Sequence, residues 1–207
     1  MAEWRIAIGA SAFDGLKAPL IRDFLALGFA MGVRQDAKYL SILIPRLHGA
    51  TALNAAIKMA GDEIDNATVR EPLTHVLWLD RDVMLTGEQA WQLLNQVDPW
   101  HPAVFALGRN PQSRTWSFWE WQDAEHRRLA SPPETPGLYR VRSAGLHAAA
   151  FDADLFGQLR HPWFRWQPLA GSDPESNVCQ SMIAQLIPVY CDTRVVVRQV
   201  FPAEATS

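Results

Sequence analysis

Two carboxylates, Asp80 and Asp82, directly follow the apolar run from His75 to Leu79. The run is rich in strand-forming residues, and side chains two positions apart in a strand point to the same face. In open α/β sheets, ligands bind beyond the carboxyl ends of the strands. Two carboxylates at such an end can hold Mg²⁺ or Mn²⁺, whose remaining positions take the phosphates of a nucleotide. A polar turn that closes a buried strand is the alternative interpretation of the same residues.

The order of the predicted elements decides whether such a site can form. In the first half of the chain, strands alternate with helices of apolar periodicity: strands Trp4–Ile8, Leu40–Ile44, the strand before Asp80 and Ala103–Gly108, a loop followed by a helix over Asp14–Gly32, and helices Thr51–Ile64 and Thr86–Gln96. Thr51 and Thr86 are the expected N-caps of their helices.

The second half is predicted to be mixed. Regular periodicity is lost between Asn110 and Pro136, and the elements expected after it are strands Leu138–Arg142 and Leu146–Phe151, helix Asp152–Leu159 capped by Asp152, helix Ser172–Leu186, and closing strands Pro188–Cys191 and Arg194–Val200 joined by Asp192-Thr193. The whole pattern predicts a single α/β domain with a mixed, mostly parallel sheet flanked by helices.

Composition narrows the functional classes. The chain has 207 residues, a net charge of −3 and 48% hydrophobic residues, which is typical of a globular domain and gives no general basic field for nucleic acid. Cys179 and Cys191 have no Cys-x-x-Cys spacing, so buried free thiols in a reducing compartment are expected. The amino terminus lacks the layout of a signal peptide, and no run approaches the roughly 18 apolar residues of a membrane span. The sequence therefore predicts a cytoplasmic protein.

Other residues of the predicted strand ends suit a phosphate-bearing ligand. The small residues Gly9-Ala10-Ser11 let a ligand approach the backbone closely, which makes Ser11 a candidate binding residue. Arg109 follows the fourth strand and can pair with diphosphate oxygens, although a solvated surface arginine is the alternative. A nucleotidyltransferase would also use a sheet and a carboxylate-bound metal. Against that class, no Gly-rich loop with a lysine or arginine follows the first strand.

Four stretches resemble the small GT-A-type glycosyltransferases of the family 2-like kind found in bacterial and phage genomes. These stretches are Ala52-Leu53-Asn54, the strand from Thr74 to Asp82, His161-Pro162-Trp163-Phe164 and Asp173-Pro174-Glu175 with the residues that follow. They lie in the family's order, and the resemblance covers nearly the whole chain. The strand with its Asp-x-Asp motif and the Pro-Trp-Phe segment are the most specific of the four.

The resemblance implies transfer of a sugar from a nucleotide-diphosphate donor, a UDP-sugar as first choice, to an acceptor hydroxyl with Mn²⁺ or Mg²⁺ as cofactor. The acceptor would be a glycan, a protein, a lipid-linked intermediate or a modified base of phage DNA. Within one domain over residues 1–207, residues 1–108 would bind the nucleotide-sugar and residues 109–207 the acceptor. Asp80 would lie near the nucleoside, Asp82 would hold the metal, and Asn54 would face the donor pocket.

The chain departs from the family pattern at Leu53, where the family has an arginine, and at two further places. Gln199 stands where the family has a histidine that joins the metal ligands, and a neutral amide oxygen is the weaker ligand for Mn²⁺. Pro174 stands in the first acidic slot of the acceptor-side motif, which makes Glu175 the first candidate for the catalytic base and Asp173 the second. Favourable charge at a helix start is the alternative role for both acids. A non-catalytic nucleotide-sugar-binding protein therefore stays open. The nine tryptophans, among them Trp119 and Trp121, suit either stacking on a ligand or a homodimer contact.

Overall fold

A computed structural model of the protein describes residues 4–12, 26–29, 37–45, 49–66, 72–80, 83–109, 115–121, 127–159, 163–164 and 176–198. The strands within these ranges are β1 (Trp4–Ala12), β2 (Ala37–Pro45), β3 (His75–Leu79), β4 (Ala103–Arg109), β5 (Phe118–Trp121), β6 (Arg127–Leu129), β7 (Leu138–Val141), β8 (Ser143–Ala144), β9 (Ala148–Asp152) and β10 (Val189–Arg198). The helices are α1 (Gly49–Asn66), α2 (Gly87–Leu94), α3 (Leu155–Gln158) and α4 (Ser176–Ile183), and residues 26–29 are also helical.

Seven of these strands form one mixed sheet in the order β2-β1-β3-β9-β4-β10-β7. Strands β2, β1, β3, β4 and β10 run in one direction, while β9 and β7 run against them. A second sheet of three strands, in the order β6-β5-β8, is antiparallel. The larger sheet therefore has the mixed, mostly parallel character that the sequence predicts.

The central strands β3, β4 and β9 of the large sheet are buried on both faces, so they are apolar on both sides. Along β3, Val76 and Trp78 point into a core shared with α1 and α4, whereas Leu77 and Leu79 point into a second core shared with α2. This alternation is the two-residue period of a strand, and it places helices in a layer on each face. The predicted α/β class is confirmed.

Some predicted boundaries are right and some are wrong. Thr86 caps α2 as expected, because its side chain accepts from the Gln89 N–H and the Gln89 side chain accepts from the Thr86 N–H. Thr51 is not an N-cap, since α1 begins two residues earlier at Gly49. Asp152 is not one either: it ends β9, and Asp154 occupies the cap position of α3. Of the loop and helix predicted over Asp14–Gly32, all but residues 26–29 lies outside the described residues.

The largest error concerns the closing strands. The dipeptide Asp192-Thr193 was expected to be a turn, yet β10 continues through it as one strand whose register against β4 shifts between Asp192 and Val196. Asp192 is completely buried there, and its carboxylate accepts from the Arg194 backbone N–H at 3.0 Å and from Arg194 Nε and Nη2 at 2.7 and 2.8 Å. The side chain thus satisfies donors locally at the irregularity, as Asp also does in turns. Hydrogen bonding to Asp192 raises the pKa of Arg194.

Cys179 and Cys191 are free and buried, as expected, and burial raises the pKa of the Cys191 thiol. The segment predicted to lack regular structure contains β5 and β6, whose residues mix tryptophan with charged side chains. None of the described helices is long and apolar enough to cross a membrane.

The Asp192–Arg194 pair gives a stability prediction. We expect Arg194→Ala to lower the free energy of unfolding by about 1–2 kcal/mol, because the buried Asp192 carboxylate loses two charge-assisted hydrogen bonds, while the exposure of Arg194 and the remaining bond from the backbone N–H limit the loss. Chemical denaturation measures the change. The matched control is Arg140→Ala on the neighbouring strand β7. Removal of this exposed side chain should change the free energy of unfolding by less than about 0.5 kcal/mol. Equal losses in the two variants would contradict a structural role of the pair.

Candidate active site

The carboxyl ends of β1, β3 and β4 lie at one edge of the large sheet. Ala10 pairs with Leu79 in the parallel register of β1 and β3, so Ser11 and Asp80 follow at the same level. Arg109 ends β4 at this edge and is level with Arg198 of β10. The topology therefore places three of the predicted binding residues, Ser11, Asp80 and Arg109, along the edge where α/β sheets bind ligands, with β9 between the strands of Asp80 and Arg109.

Asp80 is held by its backbone in a fixed position. Its N–H donates to the carbonyl oxygen of His147 at 2.8 Å, and its own carbonyl accepts from Val83 N–H at 3.2 Å. The residue is half-buried. Because β9 runs antiparallel to β3 with Leu79 opposite Ala148, the bond between Asp80 and His147 extends the strand pairing by one residue.

His147 lies in a narrow slot beside Asp80. Its side chain is almost wholly buried, and its Nε2 lies 2.9 Å from the Ser117 hydroxyl oxygen, at a distance where either group can donate. The imidazole occupies the space that side chains at Gly108 and Gly145 would fill: a β-carbon on Gly145 would lie 2.6 Å from Nε2, and one on Gly108 would overlap the ring. Both glycines are therefore needed for the ring to fit.

Arg109 and Trp116 join the end of β4 to the segment before β5. They form an antiparallel bridge, and the Arg109 guanidinium carbon lies 5.2 Å from the centre of the Trp116 ring. A cation–π contact of this kind orients the guanidinium through the face of the indole and does not consume its N–H donors. The exposed Arg109 is thus oriented at the edge with donors suited to an anion.

Asn54 has a structural contact. Its Nδ2 donates to the Phe164 carbonyl at 2.6 Å, and its Oδ1 accepts from the Phe164 N–H at 3.1 Å. The neighbouring Trp163 donates from Nε1 to the Phe156 carbonyl at 2.8 Å. The Asn54 amide therefore fastens the Trp-Phe segment to α1 across 110 residues of chain. Its predicted role in donor binding stays a prediction.

The remaining predicted site residues, Asp82, Asp173, Glu175 and Gln199, lie outside the described residues. Within the ranges that the structure describes, no three His, Cys, Asp or Glu side chains converge on a common point where a metal would bind. The described part of the edge contributes Asp80 to the predicted metal site, and the other two expected ligands are Asp82 and Gln199.

Sequence reasoning missed the contact between His147 and Ser117, together with the two glycines that accommodate it. The signal available was weak: His147 interrupts the otherwise apolar run Leu146–Phe151, which identifies a polar group at the start of a buried strand. Its partner Ser117 lies 30 residues earlier, in the stretch without clear periodicity. Nothing in the local pattern links the two.

Comparison with known proteins confirms the fold and goes no further. No family model matches the chain, and no curated protein matches it. Among solved structures, A197 from STIV is 16% identical, with a TM-score of 0.60 over 96% of this chain and 86% of that one. At such low identity the likeness concerns the fold alone. That fold is α/β and consistent with a GT-A-like arrangement.

A second solved structure is more distant. A glycosyltransferase involved in the glycosylation of the major capsid of PBCV-1 is 10% identical, with a TM-score of 0.41 over 73% of this chain and 62% of that one. The overlap is too loose to support a functional conclusion.

The contact of Asn54 with Phe164 can be tested through stability. We expect Asn54→Ala to lower the free energy of unfolding by about 1–3 kcal/mol, because the half-buried Phe164 backbone loses both a donor and an acceptor. Chemical denaturation gives the value. Lys58→Ala, at an exposed position on the same helix, is the matched control and should change stability by less than about 0.5 kcal/mol. A loss no larger than that of the control would show that the amide does not fasten the segment.

Proposed function

We propose that the protein is a glycosyltransferase that moves a sugar from a nucleotide-diphosphate donor to an acceptor hydroxyl. The observation that supports this most is the arrangement at the carboxyl edge: β3, which carries the Asp-x-Asp motif, ends next to Ser11 of β1, and β4, on the other side of β9, ends at the same edge with Arg109. The proposal combines this arrangement with the family resemblance of the sequence.

The metal site in this proposal consists of Asp80, Asp82 and Gln199. Asp82 follows Asp80 at the end of β3, and Gln199 directly follows Arg198, which the register of β10 places level with Arg109 at the same edge. Carboxylate and amide oxygens suit Mn²⁺ and Mg²⁺. When bound, the metal would neutralise the charge that develops on the leaving diphosphate.

Arg109 adds a second positive group for the diphosphate. The Arg109 guanidinium lies over the indole ring of Trp116, which restrains it. Less side-chain freedom of Arg109 is therefore lost when an anion binds. A planar guanidinium can bind two phosphate oxygens at once. A UDP-sugar remains the first choice of donor. The acceptor would be a glycan, a protein or a modified DNA base.

The proposed base is Glu175, with Asp173 as the second candidate. Both precede α4, whose Cys179 Sγ lies 3.5 Å from both the backbone N and the carbonyl oxygen of Ala144, the residue before Gly145. This contact ties α4 to β8 and so to the segment that continues to Gly145 and His147. The assignment of the two acids to the acceptor follows the family resemblance of the sequence. In this role the carboxylate accepts the proton of the acceptor hydroxyl as the new bond to the sugar forms.

The metal-binding role predicts a strong effect at Asp82. We expect Asp82→Ala to abolish Mn²⁺-dependent binding of UDP and Asp80→Ala to weaken it less, as measured by calorimetry and by the thermal shift. A ligand at 100 times its dissociation constant should stabilise the wild type by about 2.7 kcal/mol.

The control for that experiment is Asp154→Ala, which removes an exposed carboxylate next to the opposite end of β9. It should bind UDP and Mn²⁺ as the wild type does. Binding of UDP that is indifferent both to EDTA and to Asp82 would overturn the metal site.

The base can be tested separately from donor binding. We expect Glu175→Gln to keep the affinity for UDP near that of the wild type and to lower turnover by about 10²–10⁴-fold, measured as UDP release from a panel of UDP-sugars with acceptors. Asp173→Asn should have the smaller effect. Normal turnover in both variants would place proton removal elsewhere, and a parallel loss of UDP affinity would assign these acids to the donor site. UDP–Mn²⁺ binding by a wild type without turnover would favour the non-catalytic binding protein.

A further inference from the structure

His147 contacts three separate segments of the carboxyl edge. Its carbonyl oxygen accepts from the N–H of Asp80, its ring packs in the slot between Gly108 and Gly145, and its Nε2 lies within hydrogen-bond distance of Ser117. The residue is thus the point where the end of β3 meets the residues around the end of β4. We call Gly108, Arg109, Trp116, Ser117 and Gly145 the lip of the site.

The lip is itself cross-linked by backbone hydrogen bonds. Ser117 N–H donates to the Gly108 carbonyl at 2.9 Å, and Gly145 N–H donates to the Ser117 carbonyl at 3.3 Å. Arg109 and Trp116 form the bridge next to the first of these bonds. A displacement of the imidazole therefore moves Ser117, and Ser117 is joined through one bond to Gly108 and through its neighbour Trp116 to Arg109.

We propose that His147 is a positioning residue that fixes the distance between Asp80 and Arg109. This proposal rests on the proposed function, in which Asp80 serves the metal and nucleoside and Arg109 the diphosphate of one donor molecule. Two groups that bind the same ligand must keep a fixed separation, and misplacement by about 1 Å is enough to impair such a site. The His147 ring acts by filling a slot and holding Ser117, without touching the ligand.

The close contact between Gly108 and the His147 ring allows the positioning role to be tested with a single and a double variant. In Gly108→Ala the new methyl group overlaps the imidazole and must displace it, so we expect losses of both stability and UDP–Mn²⁺ affinity. In the double variant Gly108→Ala/His147→Ala, the methyl group occupies space that the ring has vacated. We expect the double variant to recover most of the unfolding free energy lost in Gly108→Ala while its UDP–Mn²⁺ affinity stays at least about tenfold below the wild type.

Conservative changes separate the two contacts of the ring. Ser117→Ala removes the hydrogen bond and leaves the ring in its slot. His147→Gln places an amide where it can still reach Ser117, and we expect it to retain more UDP–Mn²⁺ affinity than His147→Ala does. The matched control for the glycine change is Gly157→Ala, since a β-carbon there meets no atom within 4 Å and the variant should bind as the wild type does.

Amide hydrogen exchange tests the coupling without any ligand. We expect His147→Ala to speed exchange of the Asp80 and Ser117 amides together, while amides in the middle of β4 stay protected. Unchanged exchange at both positions would overturn the positioning role. Recovery of UDP–Mn²⁺ affinity together with stability in the double variant would overturn it as well. If the wild type binds no nucleotide, the proposed function fails, and the exchange result alone decides whether His147 joins the two segments.

Discussion

Strand β9 runs antiparallel between two strands that are parallel to each other, and the geometry of the candidate site depends on its register. Ala149 lies opposite Trp78 on one side and opposite Phe105 on the other. Directly opposed residues in a sheet lie within about 5.5 Å, so a small residue in the middle strand leaves room for the two large rings on the same face. The row Ala148–Ala150 therefore fits β9 between its neighbours, and Phe151, which lies opposite Val76 and Ala103, selects one register.

That register fixes where the polar residues fall. A slip of one residue would exchange the two faces of β9 and would turn Phe151 away from the core that it shares with Phe105 and Phe156. In the observed register, the residue before Ala148 is His147, whose carbonyl meets the N–H of Asp80. The packing of Phe151 in the core thus determines the position of Asp80 at the edge.

The strands of the large sheet could be predicted from sequence because burial on both faces makes them short apolar runs between polar residues, and Asp80 was placed correctly at the end of one. The continuity of β10 could not, because Asp192-Thr193 reads locally as a connection between two strands, and the pairing of β10 with the distant strands β4 and β7 carries it through that dipeptide. The same limit applies at the site. The hydrogen-bond partners of Asn54 and His147 lie 110 and 30 residues away along the chain, and no local sequence pattern predicts partners at such separations.

The polar residues near the edge fall into two groups: those whose polar atoms hold parts of the protein together, and those that lie at the surface of the site. The amide of Asn54 gives both a donor and an acceptor to one peptide of the Trp-Phe segment, and the His147 ring is enclosed with Ser117. The Asn54 amide cannot also bind a ligand without leaving these backbone groups unsatisfied, which costs about 1–3 kcal/mol for a buried group. Arg109 is different, since its contact with the ring face of Trp116 does not use its N–H donors. The fold therefore uses the Asn54 amide and the enclosed His147 ring for the frame of the site, and it places a charged group, oriented by an aromatic ring, at the surface.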